Sequence, residues 1–233
     1  MPGEYVISEN EKLSDLIKRA GGYKEGAYIY GSALFREEAL EKEKIYAQLN
    51  YSDTINYIIS NIGKSNAGIN GSVLTLLAEE IRARYYEGRI ISNFNLNSLK
   101  QDPSLDVELM DGDRISIPKI QKVVYLFGDF KNPSNFSYDS RLSPNEYIKM
   151  AGGIRDSSFR EILVIDPDGR THIYNTSRKN LFNLSKVTIY PGTIIYAQRD
   201  IGKLSGISLG TAVAPILSSL AISLASLNSI TND

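Results

Sequence analysis

Ser-Pro-Asn-Glu-Tyr-Ile-Lys-Met-Ala-Gly-Gly-Ile, residues 143–154, decides the fold of this chain, because nearly the same stretch occurs once before it. Residues 13–23 read Leu-Ser-Asp-Leu-Ile-Lys-Arg-Ala-Gly-Gly-Tyr. Aligning the two Ala-Gly-Gly triplets sets Ala20 on Ala151, an offset of 131 residues. At that offset Pro2 falls on Pro133, Tyr5 on Phe136 and Ile17 on Ile148. Separate matches at one fixed offset mark an internal repeat. Each copy describes a short amphipathic helix. Leu13, Leu16, Ile17 and Ala20 follow the i, i+3, i+4, i+7 rule for one apolar face, as do Pro144, Tyr147, Ile148 and Ala151. In the second copy Ser143 suits the N-cap, Pro144 the first helical position, and Glu146 completes a capping box. The Gly-Gly pair follows each helix rather than preceding one, which reads as a helix end and not as a phosphate cradle.

Working outward, the first copy is preceded by a short strand at 4–7 and followed by a strand-like run at 27–35. Residues 37–50 are charged and helical, with a Glu-Lys-Glu-Lys run at 41–44 on the wet side, and 51–62 continue with aromatic and aliphatic residues. Residues 64–71 form a loop, and 72–86 form a helix with Leu74, Leu77, Ala78, Ile81 and Tyr85 on one face. The stretch 37–88 has no counterpart in the second copy, so it reads as a helical pair inserted into the first. Strand-like alternation returns at 89–96 and 106–117, around a polar segment at 100–105 and an Asp111-Gly112-Asp113 turn. The second copy offers strands at 123–130, 136–138, 161–165, 171–174, 187–190 and 193–198. Its turns are Asp166-Pro167-Asp168-Gly169, a hairpin, and Tyr190-Pro191-Gly192-Thr193, which matches the Asp-Gly-Asp turn of the first. The expected fold class is α+β: two repeats, 1–119 with the insertion and 120–200 without it, each a small mixed sheet with one helix packed across it.

Composition narrows the function. The chain has 233 residues and a net charge of −1, which gives no electrostatic case for a nucleic-acid partner. Cysteine is absent, which excludes disulfides and thiolate chemistry; tryptophan is absent too, against 15 tyrosines. No signal peptide is visible. The run at 123–130 precedes Pro133, whereas nothing comparable precedes Pro2, so the sequence is expected to be an N-terminally truncated fragment.

After Lys203 the chain carries no charge from 204 to 232. On a helical wheel Val213, Ile216, Leu217, Leu220, Leu224 and Leu227 gather on one side, and Ser218, Ser219, Ser223 and Ser226 lie mainly on the other. A helix with serine in place of charge on its polar side suits a lumen or a close helix neighbour. Each buried large aliphatic is worth about 1.5–3 kcal/mol, so six of them are expected to meet lipid, the fold or another subunit. A helix over 207–230 would span about 36 Å, and one starting at Pro215 about 24 Å, short for an average bilayer.

The repeats resemble the soluble-ligand-binding β-grasp (SLBB) family. The residues that carry the likeness are Pro2, Gly3 and Tyr5; Ala20, Gly21 and Gly22; and Gly112, Asp113, Ile115, Ile117 and Pro118. In the second repeat they are Gly128, Pro133, Phe136 and Ala151, Gly152 and Gly153, with Ser134 in place of a glycine and Pro191-Gly192-Thr193 in place of Gly-Asp. Two such repeats and an apolar C-terminal helix are similar to outer-membrane polysaccharide export proteins, most of all the group 2 capsule export branch. That resemblance implies a ring of identical subunits in the periplasm and outer membrane of a Gram-negative bacterium. It further implies capsular polysaccharide as cargo, an inner-membrane export complex as partner, and C-terminal helices forming the pore, with no cofactor and no metal.

Two other functions compete with a translocon. A periplasmic glycan-binding or adaptor module would use tyrosines such as Tyr28, Tyr30, Tyr138 and Tyr174 as sugar platforms. An enzyme would need a nucleophile, a base and an orienting group. The sequence offers only His172 without an evident partner, and Asp111, Asp113, Asp166 and Asp168 in turns, so no catalysis is expected.

Overall fold

The computed structural model describes residues 2–62, 86–176 and 187–199. The expected apolar face of Val213, Ile216, Leu217, Leu220, Leu224 and Leu227 lies outside these residues. So do Ser218, Ser219, Ser223 and Ser226, the loop at 64–71, and all but the end of the helix at 72–86.

The chain is α+β. In order it forms α1 (Leu13–Arg19), a 3-10 turn (Ile29–Gly31), β1 (Ala33–Phe35), α2 (Glu37–Ile62), β2 (Arg89–Ile90), α3 (Leu96–Gln101) and a second 3-10 turn (Pro103–Leu105). Then come β3 (Arg114–Ser116), β4 (Val123–Gly128), β5 (Asn135–Ser137), α4 (Pro144–Met150), β6 (Ser158–Ile165), β7 (Thr171–Asn175) and β8 (Ile194–Arg199). The described residues form two sheets, of order β2-β1-β3 and β5-β4-β8-β6-β7. Among the described residues every strand pairing is antiparallel except β4 with β8.

The two expected helices form, and they end alike. Gly22 N–H donates to Ile17 O at 2.8 Å and Gly153 N–H to Ile148 O at 2.9 Å. Gly21 N–H donates to Lys18 O and Gly152 N–H to Lys149 O. This six-to-one and five-to-two pair of bonds satisfies the last carbonyls, and it requires the positive φ of Gly21 (94°) and Gly152 (76°). Their starts differ. In α4 the Glu146 carboxylate accepts from the Ser143 N–H at 2.7 Å and from its hydroxyl at 2.9 Å, so the cap is local. In α1 the Ser14 N–H donates to Asp106, 92 residues away, so the cap is tertiary.

Alternation places the second core. Val124, Leu126, Ile162, Val164, Ile195 and Ala197 face α4 and pack on Tyr147, Ile148 and Ala151. Their neighbours Leu163, Ile165, Ile194 and Tyr196 form a separate apolar cluster with Tyr125 and Phe127. Successive strand residues point to opposite faces, so both clusters follow from one sequence pattern. The first core gathers Leu13, Ile17, Leu34, Phe94 and Leu109 beneath α1.

The three-stranded sheet repeats three strands of the larger one. Leu34 pairs with Ile115 on one side and Ile90 on the other; Val164 pairs with Ile195 and His172. The hairpin between β6 and β7 closes with an Asp166 N–H bond to Arg170 O at 2.8 Å. The equivalent bond in the first unit joins Arg36 N–H to Gly88 O at 2.9 Å. The strands on either side of residues 37–88 therefore form a hairpin, and α2, about 39 Å long at 1.5 Å per residue, leaves from its tip. The closing turns match as well. Met110 N–H donates to the Asp113 carboxylate, and Tyr190 N–H to the Thr193 hydroxyl, both at 2.9 Å, so Thr193 does the work of the expected aspartate.

Several expectations need correction. Residues 4–7 form no strand, and Val6 is 90% exposed: their counterpart β5 pairs with β4, and no described strand stands there in the first unit. The run at 27–35 is interrupted by the 3-10 turn, which sets Ala27 opposite Lys119 but Ala33 opposite Ser116. Only Arg89–Ile90 of the run at 89–96 is a strand, because Asn95 caps α3 by accepting from the Asn97 and Ser98 N–H groups. Of 106–117 only Arg114–Ser116 is a strand; Val107 and Leu109 instead bond to the approach of α1. Residues 187–190 are not a strand, since the Tyr190 N–H is taken by Thr193.

Candidate functional site: the seam between the units

The hairpin turn at 166–169 meets the first unit. Asp166, 4% exposed, accepts from the Tyr30 hydroxyl at 2.9 Å and sits 3.0 Å from His172 Nε2 through the same carboxylate oxygen. One buried oxygen thus ties a side chain of the first unit to the hairpin of the second. Beside it, Tyr30 packs on Tyr190 with ring centroids 4.7 Å apart, and on Tyr28 at 6.4 Å. Arg89, at the start of β2, donates Nη2–H to the Pro167 carbonyl at 2.7 Å. Asp168 is buried at 6% exposure and holds Arg170 at 2.7 Å.

Electrostatics follow from burial. The Tyr30 phenol is pushed well above its ordinary pKa, first by desolvation and then by its hydrogen bond to Asp166. Tyr28 is raised by desolvation and, less, by Tyr138, Asp166, Tyr190 and Asp168. Neither phenol is a base at neutral pH. The Arg89 guanidinium is lowered by burial, opposed by Asp168 and Glu87. Tyr28 Oη, Arg89 Nε and Nη1 and Asp166 Oδ1 are buried without a hydrogen-bond partner among the described residues.

A second cluster clamps the base of the insertion. Arg36 forks onto Asp113 at 2.8 and 2.7 Å and donates to Glu108 O at 2.9 Å. Its pKa is raised, chiefly by the Asp113 hydrogen bond. Glu43 of α2 accepts from the Gly88 N–H at 3.0 Å. Bidentate arginine–carboxylate geometry with Asp113 side chain 4% exposed makes this a rigid joint.

The structure thus brings together Tyr28, Tyr30, Asp166, Asp168 and His172, which the sequence offered separately. Tyr138 and Tyr174 are partly buried against the second core. Asp111 is exposed in its turn and Asp113 belongs to the clamp. Among the described residues no group of three or more His, Asp or Glu could hold a metal, and no helix is long and apolar enough to cross a membrane. Sequence reasoning missed Arg89 and Tyr190. Arg89 had one signal: an arginine directly after the insertion, opening a strand expected to pair. No protein-family model matches this chain, and comparison with curated proteins finds no match either.

Proposed function

We propose that this chain is a subunit of an outer-membrane translocon that passes capsular polysaccharide from the periplasm to the cell surface. The observation that carries the reading is the duplication. Both units have a helix ended by the same Gly-Gly bonds, a matching strand trio and a matching closing turn. Those features, with the sequence likeness, support two SLBB repeats of β-grasp type, the first bearing a helical insertion. The seam supports a stiff two-unit block, the kind of part a ring of identical subunits needs. The uncharged stretch from 204 to 232 supports C-terminal helices gathered into a pore, serine toward the lumen and leucine toward lipid. An inner-membrane export complex would feed the periplasmic mouth. The protein offers a passage and does no chemistry on the glycan. A glycan-binding adaptor draws less support, because Tyr28 and Tyr30 are packed into the seam rather than displayed.

The test is deletion of residues 204–233. The remaining repeats should stay folded and soluble, while surface polysaccharide is lost and detergent-extracted rings disappear. Normal capsule on cells carrying the deletion would sink the pore role.

A further inference from the structure

The described residues hold two Asp-Gly dipeptides, Asp111-Gly112 and Asp168-Gly169, and the fold sets them in opposite states. An aspartate followed by glycine can close on itself. The glycine amide nitrogen attacks the aspartate Cγ; a C–N bond forms, a carboxyl C–O bond breaks, and the hydroxyl leaves with the amide hydrogen as water. Water then opens the succinimide ring on its backbone side, which gives a β-linked isoaspartate of unchanged mass. Glycine favours the step because it has no Cβ to crowd the approach. The step needs a free carboxyl and a free amide nitrogen. In the turn at 110–113 the closing bond runs from the Asp113 N–H to Met110 O at 3.1 Å, so Gly112 is a central residue and its N–H takes no part. Gly112 has a φ of 80°, and both it and Asp111 are exposed. Neither the Asp111 carboxylate nor the Gly112 N–H is bonded to another described residue. In the turn at 166–169 the glycine comes last, and its N–H makes the closing bond, to Asp166 O at 2.9 Å. The Asp168 side chain is 7% exposed, and its two oxygens accept from the Arg170 N–H at 3.0 Å and Nε–H at 2.7 Å. Arg89 lies over this glycine: a Cβ built on Gly169 would stand 3.3 Å from Arg89 Nε.

We propose that Asp111-Gly112 is a site of spontaneous isoaspartate formation in the folded protein, and that the fold protects the same dipeptide at Asp168-Gly169. At Asp111 the carboxyl swings onto an exposed amide nitrogen. At Asp168 ring closure must first break the bonds to Arg170 and the closing bond of the turn itself. The product has a mechanical consequence. A β-linkage adds one backbone carbon between Asp111 and Gly112, inside a turn whose Asp113 carboxylate holds the Met110 N–H at 2.9 Å and Arg36 at 2.7 Å. The lengthened turn draws Asp113 away from these partners, so ageing at this site loosens the joint at the base of α2. The inference does not depend on the export reading, because it uses only the two turns.

The experiment holds the full chain in mild detergent at neutral pH and body temperature for several weeks. Proteolytic peptides are assayed with a protein-isoaspartate methyltransferase, and the β-linkage is placed by fragmentation mass spectrometry. Isoaspartate at 111 should exceed that at 168 by about ten-fold or more, the factor for one hydrogen bond of ~1.4 kcal/mol that must first be broken. In concentrated urea the two rates should become comparable. Comparable rates in the folded chain, or a ratio that urea leaves unchanged, would overturn the proposal. Asp111→Glu, whose larger ring closes slowly, should erase the signal from the peptide spanning 101–114. A signal that persists there would belong to Asp102, Asp106 or Asp113 and would overturn it too. Hydrogen exchange at the Met110 amide reads the joint. It should split into slow and fast populations, the fast one growing with the isoaspartate fraction; a single population in aged protein would overturn the loosening.

Discussion

Tyr30→Phe is the sharpest probe of the seam. It removes one oxygen from a ring that keeps its packing on Tyr190, and with it the 2.9 Å bond to Asp166. Asp166 is 4% exposed, its other oxygen has no hydrogen-bond partner among the described residues, and loss of the phenol leaves the shared oxygen with His172 Nε2 alone at 3.0 Å. A hydrogen bond to a charged group contributes about 1.5–3 kcal/mol. For a chain of this size each kcal/mol moves Tm by roughly 2–4 °C, so the loss should be about 3–12 °C. The assay is a double-mutant cycle with Asp166→Asn, read by urea unfolding in far-UV circular dichroism. In the Asp166→Asn background, Tyr30→Phe should cost under about 1 kcal/mol, giving a coupling of about 1–2 kcal/mol. A cost below ~0.5 kcal/mol in the native background, identical in the other, would show that the bond does not hold the units together.

Gly128→Ala should cost more than about 3 kcal/mol, since φ is +90° and the added methyl overlaps the Ala197 carbonyl; Gly112→Ala, at φ +80° with open space, should cost only about 1–2 kcal/mol, and equal losses by thermal unfolding would contradict the packing argument. Tyr28→Phe removes a buried hydroxyl without a partner among the described residues and should stabilise by about 1 kcal/mol; a loss of that size in the same urea assay would mean the hydroxyl is satisfied. Burial pushes the Tyr23 phenol up to about 12 and raises Tyr28 and Tyr30 in the same direction. The unfolded phenol titrates near 10, so the folded state keeps protons the unfolded state has lost; stability should be intact below about pH 10 and fall as pH rises from about 10 through about 12. A urea midpoint that stays flat across that window would refute the burial of these phenols.

What could be read without coordinates obeyed local rules. Helix spacing, the Ser143–Glu146 cap, the Gly-Gly endings and the Asp-Pro-Asp-Gly hairpin each depend on residues within a few positions of one another. The missed helix α3 was also local: Asn95 ahead of Leu96 and Leu99, with Pro103 beyond, is a start and stop signal that the strand-like alternation of 89–96 obscured. Strand lengths were overread because alternation marks a face that can be buried, whereas a strand also needs a partner for its backbone. Residues 4–7 join neither sheet of the described residues; residues 106–109 alternate and spend their bonds on the entrance to α1.

The candidate site was legible only as separate residues. Tyr30, Asp166 and His172 were each singled out, yet nothing in their spacing says that a phenol 136 positions from a carboxylate will reach it. Two amphipathic helices, the local cap of α4, the tight ends of both and the α+β class follow from backbone chemistry within one or two turns of chain. That β1 and β2 close as a hairpin on either side of 37–88, that Asp106 caps a helix 92 residues before it, and that Asp166 joins the two units emerge with the assembled fold alone. Those outcomes depend on which distant groups are desolvated together, and burial is a property of the assembled core rather than of any window of residues.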